Sequence, residues 1–383
     1  MTSEIVPPSA ARFDQQKQFA AAYRVLEDAV AARAFPGCSF GVLAGGEVVL
    51  QDALGHFTYD VSGETVAGHT IYDVASLTKV VATTAAAMLL SQRGQLDLDM
   101  PVGELLPGFI VGRPPGTFAR FVKVRHLLAH NSGMPGYVEF FRTMTTAAEL
   151  FQACLALPLD GAPGGRAEYS DPGFILLGKV LEVIIRERLA PWVRKEIFQP
   201  LEMAATGFNP PSRVRKLIPP SEEDTALRHR LIQGEVEDEN AWVLGGAAGH
   251  AGLFSNVVDL LRFSGEILAA AGGPSGGASV RPRLYEPETI ERFAERQAPE
   301  GSSRALGWDT PSENSSAGRH FSAHSVGHLG YSGCSLWIDL EARIAVVLLT
   351  NRTWPDRQSQ LIREVRPAFH NAVPGADSWF HDV

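Results

Sequence analysis

Apolar residues recur at helical spacing through the middle of this chain, and in short alternating or continuous runs near its two ends. Residues 12–34 form an amphipathic stretch rich in Ala, Gln, Leu and Val, which predicts a first helix. Two short strands, 38–43 and 48–53, follow it, joined at Gly45-Gly46, a hairpin signal. A second strand pair is expected at 335–339 and 344–350 around Leu340-Glu341-Ala342. A last helix is expected over 358–369, with Pro367 interrupting its end. Flanks of this kind can pair into one antiparallel sheet covered by the terminal helices.

The middle differs. Residues 77–93, 124–130, 147–155, 173–188 and 257–270 show helical spacing and are separated by Gly/Pro loops. Pro172 and Pro191 suit first-turn positions, where a missing N–H does no harm, and Asp171 is a natural cap for the helix after it. The expected fold class is therefore α+β. A discontinuous α+β domain is expected from residues 1–75 and 280–383, with a mainly helical domain from 76–279 inserted and a cleft between them. The stretch 271–279 (AGGPSGGAS) reads as a flexible loop. With no helix or lysine after it, it is no phosphate cradle.

Composition narrows the function classes. The chain has 383 residues, 45% of them hydrophobic, enough to bury a sizeable core and to exclude general disorder. Acidic residues outnumber basic ones 43 to 34, for a net charge of −9, which argues against a nucleic-acid or anionic-membrane surface. No run approaches the ~18 apolar residues of a membrane span. The first residues lack the basic and apolar regions of a secretory signal. Cys38, Cys154 and Cys334 are too few and too far apart for a disulfide framework or metal cluster. A cytoplasmic protein is expected.

Three fragments could carry chemistry. Ser76-Leu77-Thr78-Lys79 opens the helix 77–93, and spacing i, i+3 puts the Lys79 ammonium within reach of the Ser76 hydroxyl. A serine needs a neighbour that takes its proton or stabilises its alkoxide, and burial would lower the Lys79 pKa toward that role. Tyr169-Ser170-Asp171 lies at the head of another helix. Near a lysine the Tyr169 phenolate is favoured, so it could act as general base. In His328-Leu329-Gly330-Tyr331, Gly330 allows a substrate backbone to approach a sheet edge, a main-chain N–H can serve an oxyanion, and His328 offers a donor. Each fragment alone has an ordinary structural explanation.

Other signals are weaker. Gly37-Cys38-Ser39-Phe40-Gly41 matches G-x-S-x-G, but Pro36 precedes it and a hairpin follows, so Ser39 should lie within a strand. His126 and His130 lack the Glu and third ligand of a zinc helix, and His250 sits in a Gly-rich turn and reads as structural. No metal and no cofactor are expected. The acidic run 235–239 reads as a solvated loop bordering the cleft.

Taken in order, the three fragments make the chain resemble the penicillin-binding-protein and class C β-lactamase-related family of serine hydrolases. The family carries S-x-x-K, Y-x-N and K-T-G or H-x-G in this order, matched here by Ser76–Lys79, Tyr169–Asp171 and His328–Gly330. The stretches 127–135, 169–178, 197–203, 249–255 and 336–351 strengthen the likeness, which spans roughly residues 20–370. It implies the β-lactamase/transpeptidase-like fold and a two-step acyl transfer. Ser76 would attack a carbonyl, Lys79 and Tyr169 would share its proton, the N–H groups of Ser76 and Tyr331 would hold the oxyanion, and water would release the acyl group.

Two departures bear on the substrate. His328 and Leu329 replace a charged donor and a hydroxyl, which disfavours efficient β-lactam turnover. Asp171 stands where the family has Asn; it can only accept hydrogen bonds, so it either pairs with Lys79 or selects an amine-bearing substrate. The leading expectation is hydrolysis of a small ester or peptide amide, esterase- or D-aminoacyl-peptidase-like. Alternatives are a β-lactamase or D-alanyl-D-alanine carboxypeptidase, and a non-catalytic binding or assembly protein on the same fold.

Overall fold

The computed structural model describes residues 15–272, 283–313 and 315–373. Most of the 271–279 loop, the 279/280 boundary and residues 12–14 of the expected first helix lie outside the described residues. In chain order the strands are β1 (Gly37–Ala44), β2 (Glu47–Gly55), the short β3 (Tyr72–Asp73) and β4 (Gly207–Phe208), the pair β5 (Pro220–Asp224) and β6 (Arg230–Gln233), β7 (Leu253–Ser255), β8 (Ser325–Leu329), β9 (Ser335–Asp339) and β10 (Ile344–Thr350). The helices that bear on the site are α1 (Ala20–Ala31), α2 (Ala85–Gln92), α3 (Val124–Leu128), α4 (Ala147–Ala156), α5 (Asp171–Ile185), α6 (Val257–Ala270) and α7 (Ile362–Ala372).

Five strands form one antiparallel sheet in the order β2-β1-β10-β9-β8, so strands from both ends of the chain meet where Cys38–Ala44 pair with Thr350–Ile344. Strand alternation sorts the side chains between two apolar layers. Phe40, Val42, Val346 and Leu348 face α1 and α7, where Phe40 meets Tyr23 and Phe369 edge-on. Leu43, Ala345, Val347 and Leu349 belong to the larger core, which runs through α6 into the helical layer. A Cβ at Gly41 would lie 2.5 Å from Val257, so the glycine is what lets α6 sit against β1. Ser39 is buried in β1 with its hydroxyl donated to Ala67 O, as a strand residue and not a nucleophile.

The helical expectations differ at two places. The N-cap of α5 is Ser170, whose hydroxyl accepts from Gly173 N, and not Asp171. Asp171 is thereby freed for another partner. The last helix starts later than expected, at Ile362, and runs through Pro367 to Ala372. Residues before it are held in a loop by an Asp356–Gln358 cap and by Arg352 on the carbonyls of Arg357 and Ser359. Burial of Ile362, Arg366, Phe369 and His370 keeps the helix going past the proline.

Candidate active site

Ser76 is delivered by a short, tightly held strand. Tyr72 and Asp73 pair with Ser255 and Phe254 of β7, and Val74 N donates to Leu253 O. Ala75 then adopts φ +47°, a left-handed conformation that costs energy in a non-glycine residue. Asp73 holds it there by accepting the Ala75 N–H at 2.9 Å, and Thr78 caps the Ala75 carbonyl at 2.6 Å. Lys79 begins a π-helical turn, Lys79–Thr84, before α2 continues as an α-helix, a widening often found at functional sites.

The Lys79 side chain is fully buried, and its ammonium reaches three oxygens. It donates to Ser76 Oγ and to His250 O, each at 2.9 Å, and forms an ion pair with Asp171 Oδ1 at 2.7 Å. Burial pushes the ammonium pKa down, but the Asp171 charge and then Tyr169 outweigh it, and the net shift is upward. The expectation of a lysine lowered into a proton acceptor is therefore overturned, because the carboxylate that stands in place of Asn keeps it charged.

Tyr169 donates its phenol to Ser76 Oγ at 2.7 Å, so the serine oxygen sits between a phenol and an ammonium. The Lys79 nitrogen lies 4.9 Å from the Tyr169 ring centroid. Its charge favours the phenolate, yet burial dominates and the Tyr169 pKa is raised; the resting group is the phenol, contrary to expectation. The ring is flanked by His130, tilted 40° to it at 4.7 Å between centroids, which itself stacks on Phe174 and whose Nδ1 accepts the Ser170 N–H.

The third fragment forms β8 and the turn after it. His328 is buried, and burial followed by the Lys79 and Arg304 charges drives its pKa well below the ordinary value. The neutral ring donates from Nδ1 to Leu329 O at 2.8 Å, which leaves a lone pair on Nε2 with no partner in the protein. His328 thus presents an acceptor and not the donor expected. Gly330 is not kept free for a substrate backbone either, since a Cβ there would meet Val74 O. Its role is to let the end of β8 close on the strand that delivers Ser76. Tyr331 is half exposed, and among the described residues neither its N–H nor that of Ser76 has a protein acceptor.

Ser76, Lys79, Tyr169, Asp171, His328 and Gly330 therefore gather where the π-helical turn before α2, the start of α5 and the end of β8 converge, with Tyr331 next in the chain after Gly330. Sequence reasoning missed the carbonyl of His250. It reaches Lys79 because Gly249 lies against Gly178 of α5, where a Cβ on either residue would collide with the other's backbone. The two glycines were the available signal. The acidic run is also corrected: Glu237 and Glu239 are buried, joined with Glu222 around Arg357, and Asp238 binds the His250 ring at 3.0 Å. Among the described residues no group of His, Cys, Asp and Glu is arranged to hold a metal ion, and no helix is long and apolar enough to cross a membrane.

The Beta-lactamase family model matches residues 23–367 of this sequence. The chain belongs to the beta-lactamase family. Among its relatives is a Salmonella typhimurium protein named "Putative D-alanyl-D-alanine carboxypeptidase", 30% identical over 358 residues that cover 83% of this chain and 79% of the relative. Solved structures share the beta-lactamase-family fold. EstCE1, a hydrolase with promiscuous acyltransferase activity, superposes with a TM-score of 0.73 at 22% identity, covering 94% of this chain and 100% of that one. The octameric penicillin-binding protein homologue from Pyrococcus abyssi gives 0.67 at 23% identity, with coverage of 87% and 73%. Simvastatin synthase from Aspergillus terreus gives 0.71 at 19%, with coverage of 94% and 98%. The chain is a beta-lactamase-family serine hydrolase with the family's mixed α+β architecture.

Proposed function

We propose that this protein hydrolyses a small ester or peptide amide through an acyl-Ser76 intermediate, in a cleft between an α+β domain (residues 1–75 and 280–383) and a helical one (76–279). The observation that carries the reading is the position of Ser76 Oγ, 2.7 Å from the Tyr169 hydroxyl and 2.9 Å from the Lys79 ammonium. Lys79 stays protonated beside Asp171, so the reacting form is the one in which the Tyr169 phenol has released its proton to solvent; that phenolate takes the serine proton while Ser76 Oγ bonds to the substrate carbonyl carbon. The Ser76 and Tyr331 N–H groups receive the oxyanion. Tyr169 passes the proton to the leaving oxygen or nitrogen as the acyl bond breaks, then takes a proton from the water that attacks the acyl carbon and returns it to Ser76 Oγ as the ester bond to the serine breaks.

The substrate class follows from His328 and Leu329. Neither offers a charged donor or a hydroxyl to a carboxylate, and Nε2 of His328 is an unpartnered acceptor buried beside the Tyr169 ring. That chemistry fits an amide or hydroxylated ester better than a β-lactam. A second reading, release of a terminal D-alanine, is favoured by the 30%-identical relatives.

Intact mass and product release with p-nitrophenyl butyrate, a D-alanyl-D-alanine peptide and a penicillin test these readings on the native chain and Ser76→Ala. Ester turnover with a transient acyl adduct, both lost in the variant, is the expected result. Unchanged turnover in Ser76→Ala sinks the assignment. Faster release of D-alanine than of nitrophenol moves the reading to the carboxypeptidase.

A further inference from the structure

Arg366 lies on α7, far along the chain from Ser76, and is buried. Its three hydrogen bonds to the chain all go to main-chain carbonyls of the turn after β8. Nη2 donates to Gly330 O and Cys334 O at 2.5 and 2.9 Å, and Nε donates to Gly333 O at 3.2 Å. Arg352 takes two more carbonyls, with its Nε on Tyr331 O at 2.8 Å and its N–H on Ser332 O at 3.0 Å. Every carbonyl from Gly330 to Cys334 is thereby turned into the protein.

A trans peptide group is planar, and its C=O and N–H point in opposite directions. Fixing Gly330 O therefore fixes the direction of the Tyr331 N–H, which belongs to the same peptide and has no protein acceptor. The turn supplies two bonds of its own, Gly330 N to Cys334 O at 2.7 Å and Gly333 N to Gly330 O at 3.0 Å, of which only the second holds the Gly330 oxygen. The guanidinium adds a second bond to that oxygen and polarises the peptide, which strengthens its N–H as a donor. The same turn is tied to the strand before Ser76 by Ser332 Oγ on Asp73 O at 2.7 Å.

We propose that Arg366 is a positioning residue that holds the Gly330–Tyr331 peptide so that its N–H faces the oxyanion formed at Ser76. The role rests on the acyl-Ser76 reading above.

The chain has only seven tyrosines, so 15N-tyrosine labelling gives seven backbone amide signals, and Tyr331→Phe identifies the one required. In Arg366→Met the Tyr331 amide should move while those of the buried Tyr72 and Tyr285 stay. The kcat for p-nitrophenyl butyrate should fall about 10- to 100-fold, part of what loss of an oxyanion donor costs, with KM within about twofold. Arg366→Lys should restore part of kcat. If Arg366→Met does not fold, Arg366→Lys is read against the native chain and should show the same shift and a smaller fall. A Tyr331 amide that stays in place overturns the proposal, whatever happens to kcat or melting temperature. Failure of the native chain to acylate at Ser76 removes the hydrolase reading and this role together. Retained acylation with an unmoved amide removes Arg366 alone.

Discussion

Lys79 and Arg228 are cations with side chains 0% and 1% exposed, yet what they hold differs in kind. Arg228 donates to Asp224 Oδ2 at 2.7 Å and to the carbonyls of Val236 and Glu237 at 2.6 and 2.7 Å. Its hydrogen-bond acceptors all belong to the stretch 224–237, and Glu222, shared with Arg357, lies 3.6 Å from it. Burial pushes the Asp224 carboxyl up, but the Arg228 hydrogen bond and three backbone N–H groups outweigh it and hold it well below the usual range. Lys79 instead shares its charge among a carboxylate, a carbonyl and a serine hydroxyl that also touches a phenol. A buried ion pair is structural when its acceptors are fixed and complete, and becomes a reaction centre when one acceptor can change its bonding.

The widest separation of the two regions should come from Tyr169→Phe. Removing one hydroxyl from the site should lower kcat about 10³-fold, the usual scale for a lost general base, with the melting temperature almost unchanged. Initial rates on p-nitrophenyl butyrate beside a thermal melt decide it; a rate loss below tenfold would mean that another group takes the Ser76 proton. Arg228→Met should do the reverse. Leaving Asp224 buried without its cation should cost about 3 kcal/mol of stability by urea denaturation, with kcat per folded molecule preserved. Stability within experimental error of the native chain would show that Arg228 is replaceable.

A finer test acts on the ion pair itself. Asp171 raises the pKa of Tyr169 as well as that of Lys79. In Asp171→Asn the phenolate therefore becomes easier to form. If Tyr169 is the base, the rising limb of kcat/KM against pH should move to lower pH. A limb that stays in place would show that Tyr169 ionisation does not control the rate.

The sheet was legible because its strands obey one rule. Ser335–Asp339 and Ile344–Thr350 appear at the expected bounds, and the Gly45-Gly46 hairpin has the positive φ values of 58° and 91° that its turn needs. The three fragments meet in space although none was decisive by itself; what made their meeting legible was their order along the chain and the family resemblance. The Lys79–Asp171 pair was legible as one of two alternatives for Asp171, whereas the accepting state of His328 was not. The raised pKa of Lys79 depends on Asp171 being released by Ser170 as N-cap, and the lone pair of His328 depends on a carbonyl one residue away. The acidic run misled because composition shows charge but not partners: Glu222, Glu237 and Glu239 converge on Arg357 from over a hundred residues further along. Arg366 was invisible for the same reason.

The smallest effect tests that second acidic cluster. Burial, with Glu222 and Asp73 nearby, raises the Glu237 pKa from 4.5 to about 8 despite Arg357 at 3.3 Å. Asp73 is likewise raised, mainly by burial, to about 6. Between pH 4.5 and 8 the folded chain therefore keeps a proton on Glu237 that the unfolded chain releases. The stability this proton confers is complete below the unfolded pKa and is lost as pH rises through the folded one. The melting temperature should then fall between pH 5 and 8, although most soluble enzymes change little across that range. Glu237→Gln carries a neutral amide into the same place, where it can still accept from Thr353. It should flatten the fall by roughly 2–4 °C, leaving the Asp73 contribution below pH 6. Parallel curves for the native chain and the variant would mean that Glu237 is ionised in the folded protein, with Arg357 outweighing burial.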